Sequence, residues 1–525
     1  MKRPYLYPLL LFILSLLLFN LGNSAIEVFM VDEARNASCA REMMERGNWI
    51  VPTFNYELRT DKPPLHYFFM MLSYQLFGFH AFAARFFSAL FGALTILTTY
   101  LFTRRLFSTQ TALWTILILL SSINFVLEFH LAVPDPYLIF FICASVYSFL
   151  LFHHSGRKKF LWGLYLSLAL GFLTKGPVAL LLPALVILFF LIWIRQFTWK
   201  KLRQLKIPQG AVLFLMVAAP WYIAVSIKTD MAWTQGFFLK HNLGRYSDTM
   251  EGHGGIYFLS VIYLLLGLLP FSILLIQSLV HWLRERKSQS RLFLILLVML
   301  FTLFFSLSGT QLPNYVLPVY PASAILIASF IVQTSAEEQK KYRIKTALII
   351  GLVTGLLLPL AVYLGVDYDV NLADMHHLAL YLIPIPLGFA AALIQYRPGN
   401  LKRVMLFPAA AFLMVNLFLY TLIVPEISKK NLAKSFTVGL NANQELVSYK
   451  RINPSFVFYY QKKIPVFHEL IDLKKHLESR EQVFLITRKK YLEALRPAFP
   501  ELKFVTEQRD LFEGHTTVIL QKISG

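Results

Sequence analysis

The chain has 525 residues, is 57% hydrophobic and 15% charged, and carries a formal charge of +21. It is too apolar and too poor in charge for an ordinary soluble domain. Its basic residues fall in short clusters between apolar runs, which argues against a nucleic-acid partner and for the positive-inside bias of membrane proteins.

Apolar runs of about 18 residues or more, enough to cross a bilayer of roughly 30 Å, recur along the sequence. About thirteen spans are expected, near 5–24, 82–103, 110–128, 136–153, 160–174, 177–194, 209–227, 256–281, 291–307, 317–334, 346–365, 377–396 and 404–424. Met1-Lys2-Arg3 followed by an apolar run resembles a signal peptide. The run is long and Asn23-Ser24-Ala25 is a weak cleavage site, so a retained first span is expected. Cys39 and Cys143 lie in a loop and an apolar run and are not expected to pair.

Lysine and arginine placement orients the spans. With the N-terminus in the cytoplasm, Arg104/Arg105, Arg157–Lys159, Arg195–Lys206, Arg284–Arg291, Lys340–Lys345 and Arg397–Arg403 all fall inside. The loops around Asp135, Tyr315 and Asp367, which lack Lys and Arg, fall outside. The inner loops are too short for a nucleotide-binding domain, and no GxxxxGK[ST] stretch occurs. No nucleotide is therefore expected as cofactor.

Residues 25–81 form a long outer loop that is too charged to be membrane core. A helix is expected from an Asp32 N-cap to about Arg46, ended by Gly47 and lying on the membrane surface. Asp61-Lys62-Pro63-Pro64 turns the chain into a second amphipathic helix, Leu65–Phe77. The membrane region, 1–425, gives way at Pro425 to a mixed, charged segment, 426–525. Strand-like runs at Glu445–Tyr449, Gln482–Thr487, Lys503–Thr506 and Thr516–Leu520 alternate there with helix-like stretches, so a small α/β domain is expected outside. A lid or packing role is the simpler expectation for it.

The residues able to carry chemistry collect at the outer face. Asp32 and Asp135 are carboxylates at the mouth of the bundle, suited to act as a base toward a hydroxyl. On spacing alone, helix capping is the simpler role for both. Arg35, Lys62, Lys175, His241 and Arg245 supply positive charge for a phosphate. Snorkelling toward lipid headgroups is the plain alternative. Tyr315 has a hydroxyl for the same phosphate, and an interfacial belt role serves it equally. Asp61 and His241 are candidate ligands for a divalent ion.

VDEARNASCAREMMERGNW, DKPPLHYF, AVPDPY, TKGP, HNLGR and LPNYVLPVYPA follow one another in this order. Together they resemble the GT-C glycosyltransferases, in particular bacterial lipid A aminoarabinose transferases and protein O-mannosyltransferase relatives. The resemblance implies an all-α polytopic membrane fold with a small C-terminal α/β extramembrane domain. It implies transfer of an aminoarabinose- or mannose-like sugar from a polyprenyl-phosphate donor to lipid A, protein or another envelope acceptor. It makes Asp32 the main catalytic carboxylate, with Asp135 and Glu33 as further acidic residues of the site. Arg35, Lys62, Arg245, Tyr315 and Lys175 would face the donor phosphate, and Asp61 and His241 a divalent metal ion. Asp61 stands where relatives often have Glu. The implied place is the bacterial inner membrane, with the N-terminus cytoplasmic and both the site and the C-terminal domain periplasmic. The competing expectation is a polyprenyl-linked sugar or lipid transporter that breaks no bond. That class places polar residues deep within several spans, whereas here they gather at span ends.

Overall fold

The structure, a computed structural model, describes residues 6–244, 258–285, 288–441, 444–480 and 482–522. Its N-terminal half runs α1 (Leu6–Asn20), α2 (Val31–Glu45), α3 (Leu65–Phe77), α4 (Ala81–Leu106), α5 (Thr109–Ser121), α6 (Ile123–Glu128), α7 (Asp135–Ser155), α8 (Lys158–Lys175) and α9 (Val178–Trp193). Among the described residues, each expected span falls mainly on helical backbone. Eight described helices are long and apolar enough to cross a membrane, or nine with one bent pair. α1, α5 and α9 are apolar but shorter than that length.

Two expected spans are interrupted. The run 110–128 breaks at Ser122, whose hydroxyl donates to the Gly267 carbonyl at 2.6 Å and accepts from the Phe125 N–H at 3.4 Å. The run 256–281 bends by 113° between Leu259–Gly267 and Phe271–Glu285. Pro270 lies in that break and cannot donate a helical hydrogen bond.

The helix expected on the membrane surface is α2, and its polar face is covered by protein rather than solvated. In α2, Glu33, Asn36, Ser38, Arg41 and Glu42 are buried along with Ala34, Ala37, Ala40 and Met43. α3 packs against it, and the C-terminal domain covers it. There the Tyr459 hydroxyl accepts from the Val28 N–H at 2.7 Å, and the Val457 carbonyl accepts from Arg41 at 3.5 Å. α2 closes as its spacing requires. Gly47 takes φ 59°, and the N–H groups of Gly47 and Asn48 reach the carbonyls of Met44 and Met43 at 3.0 and 2.9 Å.

Glu42 then fastens the next turn. Its carboxylate accepts from Thr53 Oγ1, Asn55 N and Tyr56 N at 2.8, 2.7 and 2.9 Å, holding the hairpin of β1 (Thr53–Phe54) and β2 (Glu57–Leu58). Asn55 exchanges two hydrogen bonds with the backbone of Ile464, at 2.8 and 2.9 Å, so the hairpin is stitched to the C-terminal domain.

That domain is the expected α/β unit. β3 (Glu445–Tyr449), β4 (Val466–Phe467), β5 (Val483–Arg488), β6 (Leu502–Arg509) and β7 (Thr516–Lys522) form one sheet in the order β4-β3-β5-β7-β6. β3 runs parallel to β4 and β5, whereas β7 pairs antiparallel with β5 and β6. β4 is two residues long, too short for a periodic sequence signal.

Candidate active site

Two cavities meet where the bundle faces the C-terminal domain. One, of about 410 Å³, is lined mainly by apolar side chains, among them Leu138, Ile142, Leu181, Phe237, Phe301 and Phe304. The other, of about 770 Å³, is polar and is bounded by the start of α2, the Glu128–Asp135 turn and the C-terminal domain. Lys62, Asp135, Lys175, Asn314 and Tyr315 line both cavities. Residues from four distant stretches of sequence thus converge on one junction.

Asp32 and Arg35 open α2 at the polar cavity. Their side chains are 65% and 30% exposed, and Arg35 Nη1 lies 3.7 Å from Asp32 Oδ1. The expected capping role is not what the backbone shows. The N-cap of α2 is Met30, with no side-chain capping bond, and Asp32 lies inside the first turn. The N-cap of α7 is likewise Pro134, and Asp135 is the first helical residue. Both carboxylates suit the positive end of a helix, but neither is consumed as a cap.

Glu33, one residue from Asp32, has a different environment. It is 1% exposed. Its two oxygens receive Arg85 Nε and Nη2, each at 2.7 Å, and Oε1 also accepts from the Ala132 N–H at 3.0 Å. Arg85 further donates to the carbonyls of Asn23, Ile26 and Glu27 at 3.3, 2.7 and 3.3 Å. Engaged by these partners, Glu33 ties three segments together at the wall of the polar cavity. With its oxygens engaged by Arg85 and the Ala132 N–H, Glu33 differs in setting from the exposed Asp32, although the resemblance implies a catalytic acid at both.

The Asp61-Lys62-Pro63-Pro64 turn brings Lys62 to the junction. Asp61 Oδ1 lies 3.0 Å from His241 Nε2, and Oδ2 lies 3.3 Å from Arg59 Nε. Burial works against ionisation of Asp61. The hydrogen bond from His241 and the charges of Arg59, His241 and Lys62 outweigh it and hold the carboxyl well below the usual carboxylate range. His241 and Asp61 therefore sit together as expected, but as a hydrogen-bonded pair with a guanidinium at its side. A divalent ion would have to part them. Among the described residues the one group of three close metal-type ligands is His281, Glu285 and Glu338, which lines neither cavity.

Asp135 is 5% exposed, and Lys175 Nζ lies 2.5 Å from its Oδ1. The same ammonium stands 5.1 Å from the centre of the Tyr315 ring, a cation–π distance. Lys175 ends α8, and Gly176 follows with φ +74°. A Cβ there would lie 2.5 Å from the ring of Phe237, a wall of the apolar cavity. Arg245, expected beside the phosphate, lies outside the described residues.

Several residues of the site carried no signal of their own. Glu128 is one: it marks the end of an apolar run, yet it lines the polar cavity. The C-terminal domain supplies a whole wall, including Arg451, Asn453, Arg488, Asp510, Glu513 and His515. Its expected role as a lid or packing module understates this contribution. No catalytic spacing marks these residues, because they become neighbours only through the sheet.

The family described as dolichyl-phosphate-mannose-protein mannosyltransferase matches residues 61–223. An uncharacterised protein of Aquifex aeolicus is 31% identical over 356 residues, covering 68% of this chain and 78% of that protein. The undecaprenyl phosphate-alpha-4-amino-4-deoxy-L-arabinose arabinosyl transferase of Edwardsiella ictaluri is 33% identical over 332 residues. That match takes in 62% of this chain and 59% of the Edwardsiella protein, so the likeness spans under two thirds of its length. The crystal structure of ArnT from Cupriavidus metallidurans bound to undecaprenyl phosphate superimposes with a TM-score of 0.84 at 21% identity, covering 100% of this chain and 99% of that one. At that identity the likeness is one of fold.

Proposed function

We propose that the chain is a GT-C membrane glycosyltransferase that transfers an aminoarabinose-like sugar from polyprenyl phosphate to lipid A or a similar envelope acceptor. The carrying observation is the junction of the two cavities. An apolar cavity of about 410 Å³ suits part of a prenyl chain, and Lys62, Lys175 and Tyr315 in its lining offer a phosphate cations and a hydroxyl. Beyond those residues lies a polar cavity roomy enough for a sugar and the group it joins. The relatives named for undecaprenyl-phosphate aminoarabinose support this donor class.

The acceptor oxygen attacks the anomeric carbon as the bond from that carbon to the donor phosphate oxygen breaks. The electron pair leaves with the polyprenyl phosphate, and inversion at the anomeric carbon is expected. Lys62, Lys175 and Arg35 stabilise the charge that grows on the phosphate. When the acceptor is a hydroxyl, Asp32 takes its proton. When it is a phosphate of lipid A, no proton moves, and Asp32 stabilises positive charge on the sugar ring. Arg451 and Arg488, across the cavity from α2, suit an anionic acceptor. Asp61 and His241 brace the Lys62 turn. The Lys- and Arg-poor outer loops support a periplasmic site in a multi-pass inner-membrane protein.

The test is transfer from radiolabelled undecaprenyl-phosphate aminoarabinose to lipid A by purified protein in proteoliposomes. Asp32→Asn is expected to lose about 10²–10³-fold in kcat, the scale of one electrostatic contact to the transition state, with an unchanged melting temperature. Donor movement across the bilayer without cleavage of the sugar–phosphate bond would support the transporter alternative. Full activity of Asp32→Asn would remove that residue from the mechanism.

A further inference from the structure

Glu128 belongs to the polar cavity but to none of the ion pairs that hold the site together. It ends α6, is 5% exposed and lines the cavity near Asn124 and Asp135. Its Oε1 is closed off from solvent and has no hydrogen-bond partner. The charged groups that act on it are Asp135 and Lys175, and the hydroxyls of Tyr320 and Tyr420 are the other titratable groups close enough to sense it.

Two carboxyls here share one ammonium. Lys175 stands 2.5 Å from Asp135, so its charge is matched at that residue. Nearby acids have their own cations: Glu33 has Arg85, and Asp61 has Arg59 and His241. A carboxyl shut away from water stays neutral unless a donor for its oxygen and a cation to balance its charge are supplied. A neutral sugar hydroxyl supplies the first of these. An ammonium supplies both. The terminal torsion of a glutamate is broad and soft, so the idle oxygen turns toward the cavity at little cost.

We propose that Glu128 is a specificity-determining residue that recognises a positively charged amino group on the transferred sugar. This rests on the reading of the polar cavity as the sugar site. It adds to that reading the residue that discriminates a cationic amino sugar from a neutral sugar of the same size. Asp135, already held by Lys175, positions the cluster, and Glu128 supplies the charge that discriminates.

The experiment compares two undecaprenyl-phosphate donors in proteoliposomes, one with 4-amino-4-deoxyarabinose and one with arabinose, its hydroxyl replacing the amine. The wild-type protein is expected to favour the amine donor in kcat/KM. Glu128→Gln keeps the shape and removes the charge. It is expected to lose about 10- to 100-fold with the amine donor, the worth of a charge-assisted hydrogen bond, while arabinose transfer stays within about twofold. An equal loss on both donors would mark a structural role and overturn the inference. The wild-type comparison needs no variant and decides alone if Glu128→Gln fails to fold. Equal kcat/KM for the two donors overturns the inference and leaves the glycosyltransferase reading intact. Transfer from neither donor overturns both.

Discussion

Lys175 Nζ lies 2.5 Å from Asp135 Oδ1, and both residues stand where the apolar cavity opens into the polar one. The lysine ends one helix and the aspartate starts another, so the pair fixes the spacing of α8 against α7. It also holds the ammonium beside the Tyr315 ring before any donor arrives. A cation already ordered in this way costs little to reorganise when charge grows on a leaving phosphate.

The pair gives two separable outcomes for Lys175→Met. Removing the cation from the leaving group is expected to lower kcat by about 10²–10³-fold. Leaving Asp135 without its partner in a buried site is expected to destabilise the protein by about 3–5 kcal/mol. Adding Asp135→Asn removes the orphaned charge, so the double variant is expected to regain much of that stability and none of the activity. Thermal unfolding and transfer assays on the same preparations check both. A double variant no more stable than Lys175→Met would show that the ion pair is not what the single change breaks.

The outer-face motifs were legible in the sequence for a simple reason. Asp32, Arg35, Lys62, Asp135 and Lys175 stand at the ends of long apolar runs, where a charge is conspicuous, and the alternation of basic loops puts them on one face. Neighbouring residues were harder to separate. Asp32 and Glu33 are adjacent acids, and sequence offers no way to tell them apart. One helical step turns the first toward the cavity and the second inward to Arg85. Arg85 itself sits inside an apolar run, where its partner 52 residues away is invisible to any local pattern. The C-terminal wall was illegible for the same reason. Arg451, Arg488 and His515 come from separate parts of the sheet domain, and only its docking on α2 makes them part of one surface.

Glu33 and Arg85 test that division of labour. Glu33→Gln keeps the shape but leaves Arg85 as an uncompensated buried cation, at an expected cost of about 3–5 kcal/mol. Arg85→Met is expected to cost as much or more, because the carbonyls of Asn23, Ile26 and Glu27 also lose their donor. The double variant is expected to be less destabilised than the sum of the two, by about 0.5–3 kcal/mol of coupling. Residual activity should track the fraction of folded protein. A Glu33→Gln variant that is stable but inactive would return Glu33 to the reacting centre.

Gly176→Ala probes the wall between the phosphate junction and the apolar cavity. The backbone there has φ +74°, and a methyl group would meet the Phe237 ring at 2.5 Å. The ring must move, and it lines the cavity assigned to the prenyl chain. The expected result is a loss of about 1–3 kcal/mol in stability, with KM for the donor raised more than kcat is lowered. A short-chain prenyl phosphate donor, which reaches less far along the cavity, should feel the change less than undecaprenyl phosphate. Equal effects on both donors would place the strain away from the lipid path.

Asp61 carries a pH signature. Its carboxyl is held well below the usual range: burial opposes ionisation, and the His241 hydrogen bond with the Arg59, His241 and Lys62 charges more than offsets it. A carboxyl whose pKa is depressed on folding binds fewer protons in the folded chain than in the unfolded one. Its contribution to stability is complete above the unfolded pKa of about 4 and is lost as pH falls from there toward the folded value. Asp61→Asn removes the charge at every pH. Its melting temperature is therefore expected to lie below wild type from about pH 5 to 8, and the gap is expected to narrow below about pH 4. The same pair makes a statement about metal. His241 and Asp61 already satisfy one another at 3.0 Å, so a chelator in the assay is expected to leave transfer within about twofold, well short of the several kcal/mol of charge stabilisation that a catalytic ion supplies. Loss of transfer on chelation, restored by one divalent ion in wild type but not in His241→Gln, would show that an ion parts the pair in the working enzyme.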